Sequence, residues 1–572
     1  MFLRENLNKK TGRTYIQIVH GYRDQQGKSK SKVHQNIGYL DVLEKEYDDP
    51  LTHFRNLAKQ MDAERQETKY INLKIKADEK IDRSKTNRKN YGHIVFSKIY
   101  HELELDRFFN NKQRHMKFEF DSNSIMKVLI FARLLYPFSK KKTTEIKDRF
   151  FDKADFTLDD VYDSLTHFSK HAKEVQRFMH ERITEQYSRD TSLLYYDVTN
   201  YYFETDKQDG FRMNGPSKEH RRDPIIQMGL AMDKMSIPLT YQLFNGNTHD
   251  SQTLMPILAN IKKEYGVKRI IVVADKGLNS GDNIAFNSAL GDGYVFSQSV
   301  RGASDLFKAY VLDNKGYVEI GTDYKRKSRI LPVEINVSVG GGKKKKKKKV
   351  CIDQKQVVFY SKKYAERAKN QRNEMITKAL DLIKNPSKYR KATAYGAASY
   401  VGNLEFDKKT GEILETGKKQ FLDMDKIREE EKLDGYYAIV TSELDETDDR
   451  IIEIYRGLWH IEESFKITKS LLSARPVYVH TKEHINAHFL ICFIALVIAR
   501  LVEIRLKNKY PIERIIETLR SVSCSHADAN HYLFDYADEI TDDLNAEFNV
   551  GFGNKYMTLG EIKKNFGMVK KR

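Results

Sequence analysis

The chain has 572 residues, of which 40% are hydrophobic and 31% are charged, and its formal net charge is +19. This composition is close to that of globular proteins, so it excludes wholesale disorder and an integral membrane protein, and the length predicts about three or four domains. The excess of lysine and arginine is spread along the chain and favours a polyanionic partner, although charge alone does not distinguish DNA from RNA.

Three features of the sequence indicate a cytoplasmic protein. The longest apolar run, at residues 489–499, is shorter than the roughly 20 residues that span a bilayer, so we expect a buried helix and no membrane. The N-terminus has no apolar stretch of signal-peptide length, which argues against export. The three cysteines have no CxxC spacing, and Cys524, although close to His526 and His531, has no second thiol with which to form a good zinc site.

The first third of the chain is predicted to contain a small basic sheet followed by helices. Residues 1–48 alternate apolar and polar positions around the turn DQQGKSK, which predicts a β-meander. Residues 49–188 have helical periodicity, which predicts a helical DNA-binding region. Basic clusters in both segments suit either a bound nucleic acid or a solvated surface. They are Lys9, Lys10, Arg13, Lys28, Lys30 and Lys32, and then Lys140, Lys141 and Lys142.

From residue 189 onward short apolar strands alternate with helices, which predicts an α/β sheet. We divide this region into a first part of the sheet at 189–300, a β-rich insertion at 301–445, a second part with a long helix at 446–508, and a tail of helices and loops at 509–572. Seven lysines follow three glycines within the insertion, at residues 343–349. Like charges in a row repel and stay solvated, which favours a loop, with a contact to the DNA backbone as the alternative.

Two of the apolar strands end in an aspartate, as LLYYD at Asp197 and as IIVVAD at Asp275. Functional groups of α/β sheets gather beyond the carboxyl ends of the strands, although a single aspartate there is more often a turn or capping residue. His249 and Asp250 in GNTHD, and Lys276 after the second strand, are weaker candidates for the same site. Asn279 and Ser280 are equally well explained as a helix cap.

A third carboxylate comes from the segment 449–473, which is predicted to be a helix. Tyr455, Glu462 and Lys469 recur there every seven residues and therefore share one helical face, although a solvated stripe would have the same spacing. Trp459 and Lys466 flank this face. Glu463 is about 100° away from it, so Glu462 is the better candidate.

Four motifs of the sequence resemble those of bacterial insertion-sequence transposases of the DDE class, in the subgroup with a Y-x2-R-x3-E-x6-K signature. The motifs are YDVTNYYFE around Asp197, GNTHDSQTL at 246–254, VADKGLNSGDN around Asp275 and YRGLWHIEESFKITKSLLSARPVYV around Glu462, and the resemblance extends over residues 1–505. Within the signature the tyrosine, glutamate and lysine match, whereas Leu458 stands at the position of the arginine. Arg456 is a poor geometric substitute for it, because it lies roughly 120° around the helix from Glu462.

The resemblance implies an α/β RNase H-like catalytic core that a β-rich insertion interrupts between the second aspartate and the glutamate. It implies that Asp197, Asp275 and Glu462 are catalytic and hold two Mg²⁺ ions, with Mn²⁺ as the alternative. Together with the helical face, it leads us to expect that DNA is bound by Tyr455, Trp459, Lys466 and Lys469.

The activity implied is cut-and-paste transposition, in which double-stranded DNA is cleaved at the terminal inverted repeats of an insertion sequence and joined to target DNA. A homodimer on paired ends, associated with the bacterial nucleoid in the cytoplasm, is implied as well. Two metals about 4 Å apart would activate the attacking oxygen and stabilise the leaving oxygen, and carboxylates suit Mg²⁺. Two alternatives stay open, an RNase H-like nuclease without strand transfer and an inactive DNA-binding protein derived from a transposase.

Overall fold

The computed structural model of the chain describes residues 1–23, 29–67, 78, 80, 86–114, 116–215, 223–340, 346–385, 396–406, 412–414, 419–528 and 530–571. These form two units, one of Met1–Ile81 with Ala527–Ala529 and one of Asp82–His526 with Asn530–Arg572. Lys28 and the first three lysines of the lysine run lie outside the described residues.

The first unit contains a three-stranded antiparallel sheet with the strand order of a meander, as the alternating pattern predicts. Ile16 of the central strand is buried in a cluster with Leu43 and Phe54, which come from the two helices that follow the sheet. The elements are β1 (Phe2–Leu7), β2 (Thr14–Arg23), β3 (Ser29–Tyr39), α1 (Leu40–Leu43) and α2 (Pro50–Glu67).

The second unit begins with a short strand and six helices, in agreement with the helical periodicity of this region. Helix starts follow the sequence closely, because the side chains of Asp121, Ser139 and Thr157 accept hydrogen bonds from backbone N–H groups of the first turn. The elements are β4 (Arg88–Asn90), α3 (His93–Glu102), α4 (Leu105–Gln113), α5 (Ser122–Leu135), α6 (Lys140–Glu145), α7 (Leu158–Lys170) and α8 (Ala172–Tyr187).

Nine strands of the second unit form one mixed sheet in the order β10-β11-β12-β17-β9-β8-β5-β6-β7. Strands β5, β8 and β9 are parallel neighbours, and every other pairing in the sheet is antiparallel. The strands are β5 (Leu193–Tyr202), β6 (Ile225–Met232), β7 (Pro238–Asn245), β8 (Ile271–Ala274), β9 (Gly293–Gln298), β10 (Val318–Ile320), β11 (Tyr324–Val339), β12 (Lys346–Ser361) and β17 (Tyr436–Thr441). The α/β class predicted from the sequence is therefore confirmed.

The region predicted as an insertion contributes four strands to this same sheet. Its long hairpin of β11 and β12 is joined to β9 through β17, and the helices and short strands between them form a smaller buried cluster around Ala379 and Tyr400. The other elements from β5 to β17 are α9 (Leu254–Glu264), α10 (Gly281–Ala289), α11 (Asp305–Leu312), α12 (Lys362–Lys384), β13 (Val401–Gly402), β14 (Glu405–Phe406), β15 (Ile413–Leu414), β16 (Phe421–Leu422) and α13 (Met424–Glu431).

The loop favoured for the lysine run is wrong for its described part. Lys346 to Lys349 lie in β12 and pair with residues 336–339 of β11. All four side chains are exposed, and the Lys349 ammonium group lies 2.8 Å from Glu334. The strand satisfies the backbone hydrogen bonds while water solvates the charges, so repulsion between lysines does not prevent pairing.

The predicted helix over 449–473 is divided into three pieces. Helix α14 (Asp448–Arg456) and helix α15 (Trp459–Lys466) are separated by Gly457 and Leu458, which both keep right-handed helical torsions. A π-helical turn, Ile467–Leu471, follows α15. A π-turn contains more residues than an α-helical turn, so the seven-residue spacing no longer places Lys469 on the face of Glu462.

The apolar run at 489–499 lies in α16 (Lys482–Arg505), which is buried as expected. Among the described residues, this is the helix that is long and apolar enough to cross a membrane, and 94% of its most apolar window is buried inside the fold. It passes through the largest core cluster, against α3, α5 and α7 of the helical layer.

The tail, predicted to contain helices and loops, also contains strands. Ser523 pairs with Asn90, so the C-terminal strand β18 adds to β4 in a four-stranded sheet with the order β20-β19-β18-β4. The partner of β18 lies more than 400 positions away in the chain, whereas β19 and β20 pair with each other within the tail. The elements are α17 (Ile512–Ser521), β18 (Ser523–Asp528), β19 (His531–Phe534), α18 (Glu539–Phe548), β20 (Tyr556–Thr558) and α19 (Leu559–Val569).

A buried ion pair fixes the start of β5 against the turn between β6 and β7. Arg189 Nε donates to Asp233 at 2.6 Å, its Nη2 donates to the carbonyl of Pro238 at 2.8 Å, and both charged side chains are almost fully buried. Removing one partner of such a pair leaves an uncompensated buried charge.

We therefore expect Arg189→Met to lower the free energy of unfolding by about 3–5 kcal/mol in urea denaturation. Arg177→Met is the matched control, because Arg177 pairs with Glu264 at 3.2 Å on the surface and exposed pairs contribute less than about 1 kcal/mol. Equal decreases in the free energy of unfolding for the two variants would contradict the larger contribution expected of the buried pair.

Candidate active site

Asp197 and Asp275 lie side by side at one edge of the parallel strands. Leu193 pairs with Ile271, and Tyr195 pairs with Val273. Asp197 and Asp275 are each two residues further along the chain, so the same register places them opposite each other. Adjacent strands are about 4.8 Å apart. Asp197 is half-buried within β5, and Asp275 is exposed directly after β8. The structure thus brings together the two carboxylates that the strand pattern singled out.

Both aspartates face the layer formed by α14 and α15. Side chains two positions apart on a strand share a face, and Tyr195 and Val273 belong to the same core cluster as Ile454, Ile461 and Phe465 of the helices. Gly457, between the two helices, lies directly on Tyr195, where a Cβ atom would clash with the tyrosine hydroxyl. The helix that carries Glu462 therefore crosses the sheet next to the aspartates.

Asp275 is held by two hydroxyl groups. Ser297 Oγ of β9 donates to Asp275 Oδ1 at 2.7 Å, and the Tyr455 hydroxyl donates to the same oxygen at 3.5 Å. Burial raises the pKa of Tyr455, as do the negative charges of Asp275 and Glu462, while Ser297 lowers it. Tyr455 therefore stays protonated at neutral pH and can donate its hydroxyl to Asp275.

Glu462 is exposed on α15. Within the described ranges, no three His, Cys, Asp or Glu side chains lie close enough together to hold one metal ion, so the three carboxylates form no preassembled cluster. Their chemistry nevertheless fits a hard divalent cation, because the donors are all carboxylate oxygens, with two of them on adjacent strands and one on the facing helix.

Glu463, the alternative ligand, is bound elsewhere. Arg500 Nη2 donates to Glu463 at 2.8 Å and to Ser464 Oγ at 2.9 Å, and Arg500 Nη1 donates to Glu503 at 2.8 Å. Glu463 therefore belongs to an ion-pair network on the side of α15 that faces α16, whereas Glu462 is exposed.

The lysine of the signature lies over the end of β5. The ammonium group of Lys469 is 5.8 Å from the centre of the Tyr201 ring, and the Tyr201 hydroxyl forms a 2.7 Å hydrogen bond with Thr468 Oγ1. Tyr201 is four residues beyond Asp197 on the same strand. The π-turn thus keeps Lys469 at the sheet edge that carries the aspartates, although it leaves the face of Glu462.

Trp459 and Lys466 are directed to solvent instead. The Trp459 side chain is 53% exposed, with its ring centre 3.8 Å from that of His460. Lys466 is exposed and lies 3.7 Å from Glu513, a surface pair that solvent and salt weaken strongly. Both side chains remain available to a large ligand such as DNA.

Leu458, at the position of the signature arginine, is a core residue. It is 6% exposed and packs in the same cluster as Tyr195 and Ile461. Arg456 does not replace the missing arginine, because its guanidinium group lies 5.8 Å from the Tyr324 ring of β11. At the position of the signature arginine, this chain therefore has an apolar side chain, Leu458, that packs in the core between the helices and the sheet.

The weaker sequence candidates have mostly structural roles. Asn279 donates to the carbonyl of Ser297 at 3.0 Å, and Ser280 caps α10. Lys276 and His249 are exposed. Asp250 is half-buried, and its charge, together with that of Asp197, adds to burial in raising the pKa of Tyr196. Sequence reasoning missed Ser297, although this residue also lies near the carboxyl end of a parallel strand.

The basic clusters differ in exposure. Lys9, Lys10, Lys30 and Lys32 are exposed, whereas Arg13 pairs with Asp41 at 2.9 Å. In the second cluster Lys141 and Lys142 are exposed, but Lys140 is buried, so it is not part of a solvated surface.

Two family models match the chain. Residues 3–73 match the N-terminal domain of the IS1634 family transposases, and residues 324–498 match the transposase DDE domain, a region that includes Glu462 but begins after the two aspartates. No curated protein matches the chain.

Among solved structures, the chain is similar to the Mos1 transposase in its paired-end complex with the left transposon end. The identity is 10%, the alignment covers 33% of this chain and 66% of the Mos1 chain, just under two thirds, and the TM-score of 0.14 is too low to support an argument about the fold. Two regions of the chain are therefore similar to insertion-sequence transposases of the DDE class, one at the N-terminus and one over the segment that contains Glu462.

Proposed function

We propose that this transposase cleaves double-stranded DNA at the terminal inverted repeats of its insertion sequence and transfers the freed ends to target DNA. Asp197, Asp275 and Glu462 are its proposed catalytic carboxylates. The observation that carries this proposal is that the two aspartates lie side by side on adjacent parallel strands, with the Tyr455 hydroxyl of the facing helix donating to Asp275.

We assign the strands β7-β6-β5-β8-β9 to an RNase H-like core. Three antiparallel strands followed by two parallel ones, with the acidic residues on the first and fourth strands in chain order, support this assignment. In the same proposal, the hairpin of β11 and β12 and its attached helices form the β-rich insertion, and the family subgroup is the one with the tyrosine, glutamate and lysine signature.

Two Mg²⁺ ions, or Mn²⁺ ions, are the proposed cofactors, and the three carboxylates would hold them. Bound there, the ions would activate the attacking water or 3′-hydroxyl and stabilise the leaving oxygen. Ser297 would keep Asp275 oriented through its 2.7 Å hydrogen bond. Repulsion between carboxylates favours a spread arrangement until cations neutralise it, so we expect Glu462 to approach the aspartates as metal and DNA bind.

The side chains around the carboxylates fit a DNA substrate. The hydroxyl of Tyr455 can donate to a phosphate oxygen, Lys469 supplies positive charge at the end of β5, and Trp459 offers an exposed ring for stacking. The net charge of +19 supports binding of a polyanion. A homodimer acting on paired ends, in the cytoplasm near the nucleoid, completes the proposal.

We expect Asp197→Asn, Asp275→Asn and Glu462→Gln each to lower Mg²⁺-dependent DNA cleavage by on the order of 10³-fold or more while DNA binding persists. Labelled DNA containing the element ends measures cleavage, and an electrophoretic shift measures binding. Glu453→Gln is the matched control, since Glu453 is exposed on α14 and, among the described residues, forms an ion pair with Arg450 at 2.7 Å. Undiminished cleavage by Asp197→Asn would remove Asp197 from the assignment.

Strand transfer is tested with a pre-cleaved element end that carries a free 3′-hydroxyl and a supercoiled target plasmid. We expect covalent joining of the 3′ end to the plasmid in the presence of Mg²⁺ or Mn²⁺ and no product with a chelator. Cleavage of intact ends without joining would indicate a nuclease, and binding of the ends without any cleavage would indicate an inactive DNA-binding protein.

Restoring the signature arginine should harm the protein rather than improve it. Leu458→Arg places a charge in the core, so we expect a loss of about 3 kcal/mol or more in the free energy of unfolding and no gain in DNA affinity. Leu458→Met keeps the volume and should cost less than about 1.5 kcal/mol. A stable Leu458→Arg variant that binds element ends more tightly would show that the new side chain reaches the DNA.

A further inference from the structure

A cavity of about 290 Å³ lies between the start of α6, the segment after the π-turn and α16. Four of the side chains that line it are basic, namely Arg133 of α5, Lys140 of α6, Arg475 and His488 of α16. None of the described residues that line it is an aspartate or a glutamate. A water molecule occupies about 30 Å³ of liquid, so the cavity has room for a small anion and some water.

Lys140 and Arg133 are buried without acidic partners. Lys140 is 5% exposed, and none of the ion pairs or hydrogen bonds among the described residues involves its ammonium group. Arg133 is 6% exposed, and its Nη1 donates to the carbonyls of Leu472 and Ser473 at 3.1 and 3.3 Å. Its buried Nε has no hydrogen-bond partner within the part of the chain that the structure describes.

The charged groups around this cavity repel one another. Burial, and then the charge of Arg133, lowers the pKa of Lys140 to about 7. Burial and the charges of Arg133 and Lys140 also depress the pKa of His488. Buried cations are normally paired with an anion, because the loss of hydration is otherwise uncompensated. A bound anion would supply the missing compensation.

The cavity is close to the strand that carries Asp197. The backbone N–H of Val477 donates to the carbonyl of Tyr202 at 3.2 Å, and the Arg475 guanidinium group lies 5.8 Å from the Tyr202 ring. Tyr202 is five residues beyond Asp197 on β5, which corresponds to about 16 Å at the rise of a strand. A DNA strand with one phosphate at the aspartates would therefore pass within a few nucleotides of the cavity.

We propose that this cavity binds a phosphate group of the DNA, through Lys140 and Arg133, and so holds the strand at a point separate from the site of cleavage. Arginine and lysine side chains that converge without competing carboxylates suit the oxygens of a phosphate. The inference rests on the proposed function for the identity of the polyanion, but the binding step requires neither metal nor cleavage.

Binding is tested on the full chain with inorganic phosphate as the probe, at constant ionic strength with chloride as the replacement ion. Phosphate should raise the melting temperature of the wild type saturably, because it binds the folded state. Lys140→Met should raise the melting temperature without phosphate and weaken phosphate binding about tenfold, equivalent to about 1.4 kcal/mol. Lys141→Met, which changes the exposed neighbour, should respond as the wild type does.

Two results in this experiment would overturn the inference. One is that phosphate leaves the melting temperature of the wild type unchanged. The other is that Lys140→Met and Lys141→Met respond to phosphate alike. Without phosphate, a melting temperature of Lys140→Met below that of the wild type would indicate a structural role for the ammonium group. This result would also overturn the inference.

A competition experiment identifies the source of the phosphate. Inorganic phosphate, again at constant ionic strength and without metal, should weaken binding of labelled duplex DNA to the wild type and to Lys141→Met but not to Lys140→Met. If phosphate binds but does not weaken DNA binding, the cavity binds a free anion. That result would overturn the proposal that the cavity holds a phosphate of the DNA. Phosphate should weaken DNA binding to Asp197→Asn as it does for the wild type. Loss of cleavage and loss of the contact with the cavity are therefore distinguishable.

Discussion

The parallel pairing of β5 with β8 determines the geometry of the candidate site. Its register puts Asp197 and Asp275 at one level, and its side-chain alternation turns both toward the layer that carries Glu462. A shift of one residue would send one aspartate to the opposite face of the sheet. The buried pair of Arg189 and Asp233 joins the start of β5 to the turn after β6, and the contact of Gly457 with Tyr195 packs the helices against β5.

Much of this arrangement follows from local sequence. Apolar strands followed by aspartate and a tyrosine seven residues before a glutamate are short-range patterns. The strand predicted to end before Asp275 does so, whereas β5 continues for five residues beyond Asp197. Ser297 satisfies the same strand-end rule and could have been found with it. The sequence predicts one helical face for Tyr455 and Glu462. Gly457 and Leu458 keep helical torsions, so the break between α14 and α15 does not disturb this spacing.

The errors arose where strand pairing and packing, rather than local charge, decide the structure. The lysines at the start of β12 form a strand because the adjacent arm of the hairpin, β11, offers its backbone as a partner. In the tail, β18 pairs with β4, which lies more than 400 positions away in the chain. In the same way, Lys140 looked like one of three surface lysines, and only the packing of α5, α6 and α16 shows that it is enclosed.

The unbroken sheet has a mechanical consequence for how such an enzyme handles its substrate. Hydrogen bonds run without a gap from the lysine-bearing ribbon of β11 and β12 through β17 to β9, whose Ser297 holds Asp275. A displacement of the hairpin of β11 and β12 would therefore be transmitted through the paired strands to the carboxylate of Asp275. In the proposed function, contact of DNA with this ribbon and orientation of Asp275 would therefore be coupled through one continuous sheet.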